Sequence, residues 1–396
     1  MTITRGQVAL LAGFSALAPM AIDMYLPAMT PLAADLSVSV EHAGQSISVF
    51  LLGIAGGQLV AGPLSDRLGR RPLFLSGLCL FTLAAIVAAL TSSFIILLAA
   101  RLVQALGACA AMVTGRAIVR DRMNATESAR FFSMLALIGG LAPILAPLLG
   151  TLLIQVGDWR LTFWVMAGFA ALLLTSGTIV MPESRSAETA SKARDEHPFA
   201  AYAALLGNRR LLGYLLAATC NSAAFFSYVA NSSVVLVDGY GLSPAQFSLI
   251  FGVNSLALVG TAQINRIMLK NGTPDTMLRL SARNALILAA LVAVFAATGL
   301  GGMWALLVLL FFMVGSITPV QANAMAGGLA VDGLRAGSTA ALFGAATFAG
   351  GSVASLVAGS LYDGTGGGLC TVVAVCLVGV ALAIRLIVLR EAAQPA

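Results

Sequence analysis

The chain contains long apolar segments that are almost free of charge, separated by short charged turns. No charged residue lies between Glu41 and Asp66, and none lies in the segment 72–94. About 20 apolar residues are enough to cross the hydrocarbon core of a bilayer as an α-helix. Both segments are therefore predicted to be transmembrane helices, and the charged turn at residues 62–71 is predicted to lie at a membrane surface.

The composition indicates an integral membrane protein in contact with the lipid bilayer. Hydrophobic residues make up 59% of the 396 residues and charged residues 10%, whereas soluble domains contain about 25% charged residues. The formal charge of +6 reflects basic residues at the ends of apolar segments, with no patch of interleaved aromatic residues. This distribution argues against a nucleic-acid partner.

Apolar runs between helix breakers predict an all-α membrane protein with twelve transmembrane helices in two six-helix bundles. The predicted helices are 6–27, 41–63, 72–92, 94–118, 128–154, 159–181, 209–236, 244–268, 276–298, 302–325, 335–361 and 367–389. The polar segment 182–208 divides them six and six. It is predicted to be a cytoplasmic linker between an N-terminal bundle, residues 1–181, and a C-terminal bundle, residues 209–396, which weakly repeats the first.

The basic residues predict the orientation of the chain. With the N-terminus in the cytoplasm, 20 of the 22 lysines and arginines fall on the cytoplasmic side, and only Arg101 and Arg160 fall toward the outside. The positive-inside rule therefore predicts that both termini are cytoplasmic. No G-x-x-x-x-G-K-[ST] loop occurs in the chain, which disfavours an ATP-driven pump.

Two charged residues inside predicted spans are candidates for proton coupling. An ionised carboxylate such as that of Asp23 costs about 2.5 to 3.5 kcal/mol inside a transmembrane helix. Because burial favours the neutral form of a carboxyl group, Asp23 is a candidate to bind and release a proton. Arg101 lies at a matching depth, so we expect an ion pair that a solute or a conformational change separates. The alternatives are a structural role for Asp23 and an anchoring role for Arg101.

The charged turn at residues 62–71 reads GPLSDRLGRR, and an Arg-Asp-Arg sequence ends the fourth span. An ionic cluster of Asp66, Arg70 and Asp121 is predicted to latch the inner ends of the first bundle. The alternative is that these charges only terminate helices. The residues assigned to conformational gating are Gly62, Asp66, Arg67, Gly69, Arg70, Arg71, Arg120 and Asp121.

Helix five contains residues that permit a kink and close packing, including Pro143, Pro147 and Gly150. Helix seven mixes aromatic and small polar residues, which suit a cavity for an amphipathic solute. Each polar side chain could instead bond a neighbouring helix. The candidate substrate-binding residues are Met24, Tyr25, Gln104, Asn221, Phe225, Phe226, Tyr228, Asn231, Asn254 and Gln321.

The five cysteines lie in apolar segments, without the spacing of a metal site or a disulfide framework. We expect no metal and no cofactor. A nucleophile–base pair or an H-E-x-x-H motif is also lacking in the sequence, so an enzyme is not predicted.

The turn at residues 62–71 resembles the loop between the second and third transmembrane helices of the major facilitator superfamily. With the segment 22–28, Arg101 and Gln104, the Arg120-Asp121 pair and the segment 323–326, it makes the chain similar to the Bcr/CflA family of drug:proton antiporters. Residues 146–150, APLLG, look like the G-P-x-x-G signature of proton antiporters, with alanine in place of the first glycine.

The resemblance implies the major facilitator fold in a bacterial inner membrane. It further implies alternating-access export of small amphipathic antibiotics of the bicyclomycin, phenicol or sulfonamide type, driven by inward proton flow. A proton-coupled importer or exporter of a small metabolite is the alternative. We expect a monomer whose partners are a small-molecule drug, protons and the bilayer.

Overall fold

The computed structural model describes residues 5–122, 131, 142, 144–185, 198–332 and 335–388. The first helices are α1 (Arg5–Ser15), α2 (Leu17–Asp23) and α3 (Met29–Asp35), with a 3-10 turn at Leu26–Ala28. They are followed by α4 (Val40–Leu68), α5 (Arg70–Leu90), α6 (Phe94–Arg122), α7 (Ile144–Val156) and α8 (Arg160–Val180).

The remaining helices begin with the short α9 (Pro198–Leu206). They continue with α10 (Arg209–Ser233), α11 (Pro244–Met268), α12 (Pro274–Thr298), α13 (Gly302–Val331), α14 (Ala336–Ser360) and α15 (Gly367–Leu382). Turns of π-helix extend α10 at Val234–Gly239 and α15 at Ala383–Val388. Every regular element in the described residues is helical, which confirms the predicted fold class.

Eleven helical segments in the described part of the chain are long and apolar enough to cross a membrane. They correspond to eleven of the twelve predicted spans. The fifth span, predicted at 128–154, lies largely outside the described residues, and its described end is α7. The first span was predicted to end at Pro27, but it continues to Asp35. Pro27 is the second residue of the 3-10 turn, where a proline is tolerated, so it starts a new helical turn instead of ending the span.

The contacts divide the chain into two compact units. One contains Met1–Ser39 and Val49–His197, and the other contains Val40–Ser48 and Pro198–Ala396. The predicted boundaries of the linker, residues 182–208, stay a prediction, and α9 lies within that segment.

Small residues allow close helix packing within each unit. In the first unit, a Cβ atom added to Gly107 of α6 would lie 2.6 Å from the carbonyl oxygen of Gly77 on α5. In the second unit, a Cβ atom added to Gly350 of α14 would lie 2.5 Å from the Thr219 side chain of α10. Glycine is therefore needed at both crossings, because small residues let helix backbones approach in a membrane.

Local sequence sets the ends of two helices in the second unit. Ser243 and Gln246 form a capping box that starts α11. The Thr273 side chain accepts a hydrogen bond from the Thr276 backbone N–H and starts α12. Gly299, with a φ of 64°, ends α12 in the left-handed conformation that glycine adopts easily.

Candidate functional site

A break in the first span places Asp23 at a helix end. Helix α2 ends at Asp23, and the chain passes through Met24 and Tyr25 before the 3-10 turn. Pro27 has no backbone N–H, so the Asp23 carbonyl lacks the donor that a continuous helix would provide. A carboxylate at the C-terminal end of a helix is also disfavoured by the helix dipole. The local backbone therefore favours a neutral Asp23 carboxyl group.

The Asp23 side chain is buried, with 7% of its surface exposed. Within the described residues, its carboxyl group has no hydrogen-bond or ion-pair partner. A buried ionised carboxylate without a partner is strongly unfavourable. This arrangement is consistent with a protonated Asp23.

Arg101 is fully buried in the same unit. Its Nη1 donates to Gln104 Oε1 at 2.7 Å, and its Nη2 donates to the Ala21 carbonyl oxygen at 2.7 Å. The guanidinium carbon lies 4.3 Å from the ring centre of Phe50, 5.1 Å from that of Tyr25 and 5.8 Å from that of Phe163. These distances permit cation–π attraction, which gains strength in a site without water. We call this set the arginine cage.

The predicted ion pair between Asp23 and Arg101 is not formed in this structure. The guanidinium is held by Gln104 and by the backbone of Ala21, two residues before Asp23. The matching depth of Asp23 and Arg101 in the sequence correctly placed Arg101 beside the turn of the first span that contains Asp23. The depth of a residue does not specify the direction of its side chain, and three aromatic rings determine the direction of the Arg101 guanidinium. Two of those rings, Phe50 and Phe163, have no sequence signal that separates them from ordinary core aromatics.

Gly150 of α7 contacts the backbone next to Asp23. A Cβ atom added to Gly150 would lie 2.0 Å from the Met24 carbonyl oxygen. Real Cβ atoms do not approach a backbone oxygen so closely, so only glycine fits here. Pro147 is buried in the same helix, whereas Pro143 lies outside the described residues. The predicted antiporter helix thus contacts the helix break through Gly150.

The ionic cluster predicted at the charged turn is present. The buried Arg70 forms ion pairs with Asp66 and with Asp121, the latter at 3.0 Å. Its Nη1 also donates to Ser65 Oγ at 2.9 Å. The side chain of Arg120 lies outside the described set, and a Cβ atom added to Gly62 would meet nothing within 4 Å. The gating role of this cluster stays a prediction.

Glu183 completes the charged turn, and sequence reasoning did not assign it to the site. Its carboxylate accepts the backbone N–H groups of Arg70 at 3.0 Å and of Arg71 at 3.2 Å, at the start of α5. Gly69, with a φ of 110°, precedes α5 and has no side chain for capping. Glu183 therefore caps α5 from 113 residues away, where an anion is favoured by the helix dipole. No local pattern could have revealed a cap at this separation.

Other groups connect the same turn to the segment after α8. The Arg185 guanidinium donates to the Asp66 and Arg67 carbonyl oxygens, and Arg71 Nη2 donates to the Thr178 carbonyl at 2.8 Å. Ser184 Oγ donates to Asp121 at 3.2 Å. The turn is thus held by α6 and by the end of the sixth predicted span.

Acid should weaken this arrangement through Glu183. Burial of the Glu183 carboxyl opposes ionisation, but the backbone N–H groups of Arg185, Arg70, Arg71 and Ser184 outweigh it and hold the pKa of this carboxyl below its usual range. A carboxyl with a lowered folded-state pKa stabilises the fold above the ordinary glutamate value of about 4.3, and that contribution is lost as pH falls through the lowered value. We therefore expect Glu183→Gln to reduce the acid-dependent fall of the unfolding temperature.

The matched control for this prediction is Glu41→Gln, which removes a carboxylate from the first turn of α4. Thermal unfolding of the three purified proteins in detergent, from pH 7 down to about pH 3, measures the difference. An identical acid dependence in Glu183→Gln and in the unmodified protein would show that the cap does not contribute.

The second unit contains a polar network on α10. Asn254 Nδ2 of α11 donates to the Tyr228 hydroxyl at 2.9 Å, and the Tyr228 ring stacks on Phe251 with ring centres 5.5 Å apart. Ser222 Oγ donates to Gln321 Oε1 of α13 at 3.3 Å. These residues combine apolar walls with a few fixed polar groups, as ligand sites do.

Asn221 and Asn231 differ in the hydrogen-bonding groups that their side chains leave available. Asn221 Nδ2 donates to the Ile317 carbonyl at 3.0 Å, while its buried Oδ1 has no partner in the described part of the chain. Asn231 Nδ2 donates to the Ser227 and Ser355 carbonyl oxygens, so it connects α10 to α14. Asn221 thus keeps an acceptor for a ligand, whereas the Asn231 amide nitrogen is engaged by backbone.

The candidate binding residues fall in both units. Met24, Tyr25 and Gln104 lie in the first unit and are buried, and Tyr25 and Gln104 are part of the arginine cage. The candidates on α10, α11 and α13 lie in the second unit. Among them, the Phe225 and Phe226 rings have centres 5.3 Å apart and are half-buried.

Comparison with known proteins places the chain in a family. The family model for the Major Facilitator Superfamily matches residues 11–354. An uncharacterized MFS-type transporter, YdgK of Bacillus subtilis (strain 168), is 33% identical over 356 residues, covering 88% of this chain and 87% of the relative. A bicyclomycin resistance protein homolog of Haemophilus influenzae is 29% identical over 350 residues, covering 88% of each chain.

A solved structure has the same fold. The crystal structure of a D-xylose-proton symporter matches with a TM-score of 0.72 at 13% identity, covering 96% of this chain and 97% of the symporter. The family model spans most of the chain, and the described helices have the length and composition of membrane spans. The chain therefore belongs to the Major Facilitator Superfamily of membrane transporters.

Proposed function

We propose that this transporter is a proton-coupled exporter of small amphipathic antibiotics of the bicyclomycin, phenicol or sulfonamide type. It works by alternating access as a monomer in a bacterial inner membrane, with both termini in the cytoplasm. The relative named as a bicyclomycin resistance protein homolog supports the cargo class. The resemblance of the charged turn and of α7 to drug:proton antiporters supports exchange for protons.

Asp23 is the observation that carries the proposal. It is a buried carboxyl group at a break in a membrane span, without a side-chain partner in the described residues. Such a group is stable when protonated and becomes unfavourable when it is ionised and unpaired. Exposure to one side of the membrane and then to the other would let it take up and release a proton.

Arg101 is proposed to respond to the charge on Asp23. When Asp23 is protonated, the guanidinium bonds Gln104 and the Ala21 carbonyl, as it does here. When the proton leaves toward the cytoplasm, the carboxylate attracts the guanidinium, whose Nε has no partner among the described residues. This movement would rearrange the arginine cage, and we propose that drug binding accompanies it. Protonation from outside reverses the movement and releases the drug.

The proposed binding residues of each unit offer an amphipathic solute few specific bonds. In the first unit, Tyr25 supplies an aromatic ring of the arginine cage. In the second unit, Tyr228 with Asn254 offers an aromatic face and a polar group. The free Oδ1 of Asn221 would accept a hydrogen bond from the solute. Apolar walls with a few polar groups fit a broad cargo class.

The charged turn should control the rate of conformational change and leave affinity almost unaltered. Arg70→Ala removes the group that joins Ser65, Asp66 and Asp121, and each charge-assisted hydrogen bond contributes about 1.5 to 3 kcal/mol. We expect turnover to fall about tenfold or more, which corresponds to about 1.4 kcal/mol in activation free energy. Drug affinity should stay within a few fold, because the cluster's ion pairs and hydrogen bonds in the described residues include no proposed binding residue.

Initial transport rates in proteoliposomes and equilibrium drug binding in detergent measure the two quantities separately. Arg209→Ala is the control, because it removes an exposed arginine at the start of α10. A large loss of affinity at unchanged turnover in Arg70→Ala would contradict the gating role.

Proton release on addition of drug tests the proposed function directly. Purified protein in weakly buffered detergent solution should acidify the medium when a bicyclomycin-, phenicol- or sulfonamide-type drug binds, and Asp23→Asn should bind drug without acidification. Drug binding without proton release by the unmodified protein would overturn proton coupling. Proton release only with a small metabolite would favour the alternative cargo.

A further inference from the structure

The second unit has a groove on the exposed, apolar side of three of its helices. It lies between α11, α12 and α13 and encloses about 770 Å³, within the volume range of ligand sites. Large apolar side chains at its edges are strongly exposed, including Phe312 at 62% and Ile287 at 56%. In a membrane protein, exposed apolar surface of this kind contacts acyl chains.

The groove is apolar at one end and polar at the other. Leu256, Leu291 and Val308 line the apolar end. Asn265 and Ser281 line the opposite end, near the turn that joins α11 to α12. The α11 positions that line the groove, residues 256–268, span about 18 Å along the helix axis. This length and polarity match a molecule with a polar head and a long apolar chain.

Asn284 indicates that a ligand in the groove would carry a polar group. It lines the groove about 15 Å from the start of α12, measured along the helix axis. Its side chain is exposed, and in the described part of the chain it makes no hydrogen bond. An amide without a partner is unfavourable at the surface of a membrane helix. A ligand with hydrogen-bonding groups would satisfy it.

Positive charge lies near the polar end. Lys270 lies in the turn, and Arg283 directly precedes Asn284 on α12, with both side chains exposed. Within the described residues neither of them forms an ion pair. Asp275 is the only acidic residue in the sequence from 244 to 331, and it is paired with Arg210 at 3.0 Å. The charge at this end therefore complements an anion.

We propose that this groove binds a phospholipid with an anionic headgroup, with an acyl chain along the apolar end and the phosphate at the polar end. The basic side chains are long enough to reach a headgroup at the membrane surface. A membrane anion attracts each nearby lysine or arginine. The proposal does not depend on which solute the protein transports.

Native mass spectrometry of the purified full-length protein tests this assignment. The probes are phosphatidylglycerol and phosphatidylcholine with identical acyl chains. We expect tighter binding of phosphatidylglycerol, and Arg283→Gln should weaken it about fivefold. Phosphatidylcholine binding should change less than about twofold, because that headgroup carries no net charge.

Filling the groove tests where the acyl chain lies. A Cβ atom at Gly260, which lines the groove, meets nothing within 4 Å, so Gly260→Phe should fold and should abolish binding of both lipids. Gly168→Phe, on α8 in the first unit, has the same open surroundings and should bind both normally. If Gly260→Phe aggregates on gel filtration, Ile287→Trp fills the same groove.

Equal binding of the two lipids by the unmodified protein would overturn the anionic preference. Unchanged phosphatidylglycerol binding in whichever filling variant folds would place the lipid elsewhere and overturn the proposal. The proposal would also be overturned if no phospholipid binds and an uncharged drug binds in the groove instead, so that Gly260→Phe blocks the drug.

Discussion

Replacing Asp23 with Asn is expected to abolish drug transport driven by a proton gradient while leaving the protein folded in the membrane. The amide has nearly the same shape as the carboxyl group but cannot bind or release a proton near neutral pH. Removing a potential charge from a membrane span should ease insertion. Because Asp23 makes no described side-chain bond, the substitution breaks no contact that holds the fold.

Proteoliposomes with an imposed pH gradient measure this effect, and gel filtration together with drug binding reports the fold. The matched control is Asp158→Asn, which removes a carboxylate that is 59% exposed beside Arg160, where an ion pair contributes little. That variant should transport normally. Undiminished gradient-driven transport by Asp23→Asn would sink the assignment of Asp23 as the proton carrier.

Gly150→Ala is expected to impair both stability and transport. Its added Cβ atom would lie 2.0 Å from the Met24 carbonyl oxygen, and a backbone atom cannot rotate away as a side chain can. Forcing an extra carbon into a packed site typically costs about 1 to 3 kcal/mol. The displacement falls on the backbone next to Asp23, so proton coupling should weaken even in protein that remains folded.

Gly168→Ala is the control for helix propensity, because nothing lies within 4 Å of a Cβ atom there. It should leave the unfolding temperature unchanged or raise it, since alanine favours a helix over glycine by about 1 kcal/mol. Thermal unfolding in detergent and transport in proteoliposomes measure both variants. Equal stability of Gly150→Ala and Gly168→Ala would mean that α7 does not pack tightly against the backbone at the helix break.

Features set by local spacing were predictable from the sequence. Apolar runs defined the spans, and the charged turn carries Asp66 and Arg70 four residues apart, so the tight turn between two spans keeps the two side chains close. Asp121 was predicted to join this cluster because it lies at the end of the fourth span, at the same membrane surface as the charged turn. The burial of Asp23 followed from its place in an apolar run.

Features set by distant packing were not predictable. The direction of the Arg101 guanidinium depends on rings from three separate helical segments. The contact of Gly150 with Met24 depends on a helix break whose position within the span no motif specifies. Asn231 was expected to bind solute, but its amide nitrogen is engaged by backbone carbonyls of α10 and α14, which a residue type alone does not reveal.

The Glu183 cap has a consequence for how the chain is made. Helix α5 is synthesised 113 residues before the carboxylate that caps it. At synthesis rates of about 5 to 20 residues per second, that interval lasts roughly 6 to 23 seconds. During this time the third span must enter the membrane with its first N–H groups uncapped, and the sixth span closes the turn only when it emerges. The contacts of this charged turn therefore form in two separate stages of synthesis.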